Sequence, residues 1–152
     1  MRRLYKFLLL PTGEKVFFIK AVLLTMIVKF GLLIFPLNII RQFTDYILQL
    51  LPKHQIKRLS TEKISWAVST AGGYLLGAKN CLSQALVAQI LLKQNGYPAN
   101  LNFGASKDNE IKLEAHAWVE SEGKIIVGEA TIKDYTPLLT IKEKNLSRST
   151  VS

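Results

Sequence analysis

The spacing of apolar residues in this chain changes once, near Pro98, and that change restricts what the chain can fold into. Ahead of Pro98 the apolar residues recur every three or four positions, the spacing of helix faces; beyond it they recur every second position, the spacing of strands. Leu101, Phe103 and Ala105 alternate with Asn102 and Gly104, predicting a first strand. Ile111, Leu113, Ala115, Ala117 and Val119 alternate with Lys112, Glu114, His116, Trp118 and Glu120, predicting a second, and Lys124 to Ala130 predicts a third. Helices followed by strands on short connections give an α+β chain, with a small antiparallel sheet packed against a helix.

Pro11-Thr12-Gly13-Glu14 predicts a helix start with Thr12 as cap, and Pro36 ends or kinks that helix. A second helix is predicted from about Leu37 to Leu51, stopped by Pro52. Lys53 to Arg58 is a solvated connector, and Ser60-Thr61-Glu62-Lys63 opens a third helix. Ala71-Gly72-Gly73 predicts a break before the next helix. That helix holds Leu82, Ala85, Leu86, Val87, Ala88, Ile90, Leu91 and Leu92, which wrap most of its circumference, so it is expected to be central and covered on several sides. Asn95-Gly96 followed by Pro98 supplies its stop.

The chain has 152 residues, enough for one domain with its own core. Three stretches are expected within it: a basic apolar helical region over 1–65, a core over 66–141 and a polar tail over 142–152. Residues 1–65 carry eleven Lys and Arg against three acids, while the remainder is near neutral with nine against eight. No glycine-rich phosphate loop and no aromatic-basic motif accompanies this charge, which argues against nucleic acid. Within the basic half, Lys20 and Lys29 divide the apolar run into an eight-residue and an eleven-residue piece. A spanning helix needs about 20 uninterrupted apolar residues. The lysines therefore read as one wet edge on otherwise buried helices, with docking on a partner or a membrane surface as the alternative. No small-residue cleavage site follows, against a secretory signal. The single cysteine fits a reducing cytoplasm, where the chain can meet the inner face of the membrane. With only His54 and His116 and no ligand spacing, neither a metal nor another cofactor is expected.

That cysteine, Cys81, follows Asn80, a good N-cap residue, and so falls in the first turn of the central helix. Unpaired N–H groups and the positive end of the helix dipole favour a thiolate there and can receive an oxyanion. On position alone a lone cysteine is more often a small core residue. The stretch S-E-G-K predicts a two-residue turn at Glu122-Gly123 with Ser121 facing Lys124. Continued without interruption, that register sets His116 opposite Glu129 on one face of the sheet. Nucleophile, base and orienter then follow in the order Cys81, His116, Glu129.

The segments N-C-L-S-Q-A-L, N-G-Y-P-A-N-L-N-F-G, A-H-A-W-V-E-S-E-G-K-I-I-V-G and Y-T-P-L, between Lys79 and Leu139, resemble the transglutaminase-like cysteine peptidases of lasso-peptide biosynthesis. The basic, leucine-rich opening M-R-R-L resembles their stand-alone form. The resemblance implies a papain/transglutaminase-like α+β fold, with 66–141 as the peptidase core, and removal of the leader from a precursor peptide. It also implies a separate small leader-binding protein and an ATP-dependent cyclase that closes the released core. Carried over, Cys81 matches the nucleophile and His116 the base, and Trp118 is a candidate for substrate contact. The family's orienting residue is usually aspartate, so Asp134 stands in reserve behind Glu129. Acyl transfer to an amine, or a non-catalytic docking module on the same fold, are the competing expectations.

Overall fold

A computed structural model describes residues 11–50, 59–75, 81–108, 112–128 and 136–141. Pro11, with its fixed φ and no N–H to leave unpaired, starts α1 (Thr12–Ile34) by accepting from the N–H groups of Glu14 and Lys15 at 2.9 and 3.1 Å. Thr12 lies inside the helix and no side chain caps it, contrary to the expected cap. The helix passes Lys20 and Lys29 without interruption and stops at Ile34. Phe35 is extended (φ −117°, ψ 144°), as the residue before a proline prefers. Pro36 thus ends α1, and α2 (Leu37–Leu50) begins on the far side.

In α3 (Thr61–Leu75) the Lys63 N–H meets the Ser60 hydroxyl at 3.4 Å, the expected start. The expected break at Ala71-Gly72-Gly73 does not occur, because α3 runs through it. Gly72 is buried where a Cβ would come within 2.5 Å of the Gln84 amide. Its glycine serves close helix approach, and the helical cost of about 1 kcal/mol is offset by packing.

α4 (Cys81–Gln94) is the central helix expected from its pattern. It packs on α1, α2 and α3 and on β1 (Asn100–Asp108), β2 (Lys112–Ser121) and β3 (Lys124–Val127). Every residue from Ala85 to Leu92 is buried. Its end is closed by the Tyr97 N–H on the Leu92 carbonyl and the Gly96 N–H on the Lys93 carbonyl, both at 3.0 Å. Asn95 holds the arriving chain as well, accepting from the Leu59 N–H at 3.4 Å.

The sheet is antiparallel in the order β3-β2-β1-β4, and its fourth strand, β4 (Thr136–Ile141), is one the alternation had not announced. Pro137 masks it: proline cannot donate to a ladder, so it belongs on an edge or at a bulge. Here it is on both, since β4 is an edge strand and its pairing with β1 shifts between Phe103 and Gly104. With α4 and the three-helix N-terminal half, this is the expected α+β architecture, helices packed on a small antiparallel sheet.

One expectation about α1 is reversed. Its buried residues are Ala21, Thr25 and Val28, with Phe17, Phe18, Leu24 and Leu32 packed beside them. Val16, Leu23, Ile27, Phe30, Leu33 and Ile34 face solvent, Leu33 at 73%. The helix is not a covered one with a single wet edge.

Truncating Leu91, fully buried on α4, is expected to cost about 2–5 kcal/mol. The measurement is the urea midpoint of Leu91→Ala against wild type, and a shift worth under about 1 kcal/mol would contradict the central placement of α4.

Candidate active site

Cys81 is the first residue of α4, a half-buried free thiol in the turn whose backbone N–H groups have no intrahelical acceptors. Its expected cap, Asn80, lies outside the described residues. His116 lies midway along β2, opposite Gly104 of β1. The Gln89 amide donates to the Ala99 carbonyl at 3.3 Å, tying α4 to the start of β1. α4, which Cys81 opens, packs against β2, which carries His116.

His116 Nε2 is 3.1 Å from the Gly128 carbonyl oxygen. A carbonyl oxygen only accepts, so this contact favours the tautomer with the ring proton on Nε2, in which Nδ1 is the basic nitrogen. Trp118, two residues along the same face of β2, lies nearly parallel to the imidazole (20° between planes, centroids 6.3 Å apart). It is buried, and its indole N–H donates to Glu120 Oε1 at 2.9 Å, which fixes its plane. In this structure Trp118 is a wall beside His116.

Gly128 makes that approach possible. It has φ +100°, and a Cβ there would lie 2.7 Å from Trp118 Cβ and 3.2 Å from the Ala117 carbonyl. Only glycine lets the backbone pass over Trp118 closely enough to present its carbonyl to His116. The isolated glycine after I-I-V was the signal for this, since a lone glycine in a strand pattern marks a bulge or a close backbone approach.

The turn itself is as expected: Glu122 (φ 51°) and Gly123 (φ 77°) form it, with Ser121 opposite Lys124 and Glu120 opposite Ile125. The register then slips. Between Val119 and Glu120 the pairing shifts by one, Val119 faces Val127, and β3 ends. The uninterrupted register that set His116 opposite Glu129 is therefore corrected, because the bulge adds a residue on the β3 side. Glu129 and Asp134 lie outside the described residues, as does His54. Among the described residues, no three His, Cys, Asp or Glu side chains are grouped so as to hold a metal.

Against known families, the chain matches the model described as the transglutaminase-like superfamily over residues 34–140. That interval holds Cys81, His116 and Gly128 and leaves almost all of α1 outside. The superfamily includes cysteine peptidases and acyltransferases. No curated protein and no solved structure matches the chain.

The imidazole nitrogen signals of His116 are expected to show the Nε2–H tautomer in long-range ¹⁵N–¹H spectra of the neutral ring. A dominant Nδ1–H form would contradict the Gly128 contact. Gly128→Ala is expected to cost about 1–3 kcal/mol through strain at a positive φ and to shift those signals.

Proposed function

Because this chain belongs to the transglutaminase-like superfamily, we propose that it is a cysteine peptidase that removes the leader from a ribosomally made lasso-peptide precursor. One observation carries this: Cys81 opens the central helix of the matched segment, and that helix packs against the strand that carries His116. The finer assignment is supported by the likeness of N-C-L-S-Q-A-L and A-H-A-W-V-E to the leader peptidases of that class.

In this proposal the Cys81 thiol gives its proton to His116 Nδ1 and the sulfur attacks the carbonyl at the leader–core junction. N–H groups in the first turn of α4 receive the oxyanion. As the intermediate collapses, the proton on Nδ1 passes to the leaving amine, which is the new N-terminus of the core. Water then gives a proton to Nδ1 and attacks the thioester. The leader leaves with a free carboxylate, and the proton returns to sulfur. The Gly128 carbonyl keeps the ring in the tautomer these steps require. Glu129, directly after it in sequence, is the proposed acid, with Asp134 in reserve, and Trp118 is the proposed flank for substrate. The released amine is what an ATP-dependent cyclase needs to close a macrolactam. A separate small leader-binding protein would deliver the precursor in the cytoplasm.

Acyl transfer to an amine shares the thioester and is separated by products. Mass spectrometry of the digested precursor is expected to find a leader with a free carboxylate; a new amide on the leader would establish transfer instead. Cys81→Ala should abolish cleavage, and His116→Ala should lower the iodoacetamide alkylation rate of Cys81 at neutral pH by about tenfold or more. An alkylation rate indifferent to His116 would remove the pair.

The leader-binding partner is expected to raise cleavage by about tenfold or more through substrate delivery. Equal rates with and without it would remove the partner from the proposal while leaving the peptidase intact.

A further inference from the structure

α1 has two faces with different fates. One is built into the protein, where Ala21, Thr25 and Val28 are buried and the Phe18 and Trp66 rings lie 5.5 Å apart. The other carries Val16, Ile19, Leu23, Ile27, Phe30 and Ile34, each 50% or more exposed. At 3.6 residues per turn these six share one side of the helix, with Lys20 at one border and Lys29 beyond the other, past Leu33. α2 extends the surface with Ile39, Phe43 and Tyr46, all about half exposed. Between the two helices lies an apolar groove of about 450 Å³, floored by Val28 and Ile40 and edged by Phe35 and Phe43.

The charges around this surface are one-sided. The acids of α1 and α2, Glu14 and Asp45, are bound to Lys63 and to Lys93 (3.9 Å) on other helices. Lys15, Lys20, Lys29 and Arg41 have no ion-pair partner among the described residues. Desolvation against its apolar neighbours holds the Lys20 ammonium below its ordinary pKa.

We propose that this face docks in the plane of an anionic lipid bilayer. The exposed side chains of α1 and α2 enter the acyl boundary, and Lys15, Lys20 and Lys29 reach lipid phosphates. Cations fringing an apolar helix face, with their stems along it, match an interfacial helix. A protein partner would need polar groups to set its register, about one hydrogen bond per 100–200 Å². The groove offers few such groups, with Thr44 and Gln94 the uncharged polar side chains on its wall. By length and composition α1 could span a membrane. Its inner face is committed to α3 and α4, so spanning would strip Ala21, Thr25 and Val28 from the core. The surface lies apart from Cys81 and does not depend on the proposed peptidase.

The test is flotation of the full chain with phosphatidylcholine vesicles, with and without phosphatidylglycerol. Binding about tenfold or more tighter to the anionic vesicles, and weakening as salt rises, is expected. Ile27→Asp with Phe30→Asp changes exposed positions, so circular dichroism should report an unchanged fold while binding falls tenfold or more. Lys20→Glu with Lys29→Glu should erase the preference for anionic lipid. In a Cys81→Ala background, a polarity-sensitive dye on Leu23→Cys should shift blue with vesicles, and one on Lys124→Cys should not. Absence of flotation by folded protein, including protein that self-associates or holds a protein partner instead, would overturn the proposal. So would equal binding to both vesicles, or retention after an alkaline wash, which would mean a spanning helix.

Discussion

Burial of α4 on every side is the constraint on which the rest of this structure depends. A helix apolar around its whole circumference cannot rest on one neighbour, so it draws helices to some sides and a sheet to another. From Ala85 to Leu92 nothing on it faces water. Because the middle of the helix is held so completely, its first residue is held too, and Cys81 sits half-buried at the edge of the core. A thiol placed on so rigid an element needs no mobile loop to position it.

The histidine is held by a different means. β2 places His116 opposite Gly104, but ring orientation comes from residues outside the regular pairing. Trp118 lies flat beside the imidazole, and Gly128 crosses over Trp118 to set its carbonyl on Nε2. The bulge between Val119 and Glu120 precedes this crossing, and one further pair, Val119 with Val127, closes the ladder. Bulges re-aim side chains near functional sites in this way. The partner the structure gives the imidazole is thus a backbone carbonyl, where the sequence had suggested a carboxylate.

The N-terminal half extends the same packing outward. α1 lies almost wholly outside the segment matched to the superfamily, yet its inner face closes the core over α3 and α4. Its outer face repeats the apolar character of the inner one without a neighbour to bury it. A single helix so apolar on both sides faces two environments, and the basic charge gathered on this half is what an anionic one would meet.

By itself the sequence determined the class of fold, the centrality of the Cys81 helix, its stop at Asn95-Gly96 and the tight turn at Glu122-Gly123. All of these rest on local periodicity and turn chemistry, which act over a few residues. Cys81 and His116 drew notice for the same reason: each stands out within its own element. What only the tertiary structure decided depends on contacts between distant segments. Gly72 reads locally as a helix breaker and proves to be a contact point for Gln84. Pro137 reads locally as the end of a strand and is accommodated because β4 is an edge. The slip at Val119 and the crossing of Gly128 over Trp118 follow from packing the hairpin, which no spacing along the chain records. Likewise, periodicity announced that α1 is apolar, but which of its faces is covered was settled by where α3 and α4 stand, because burial belongs to neighbours rather than to residues.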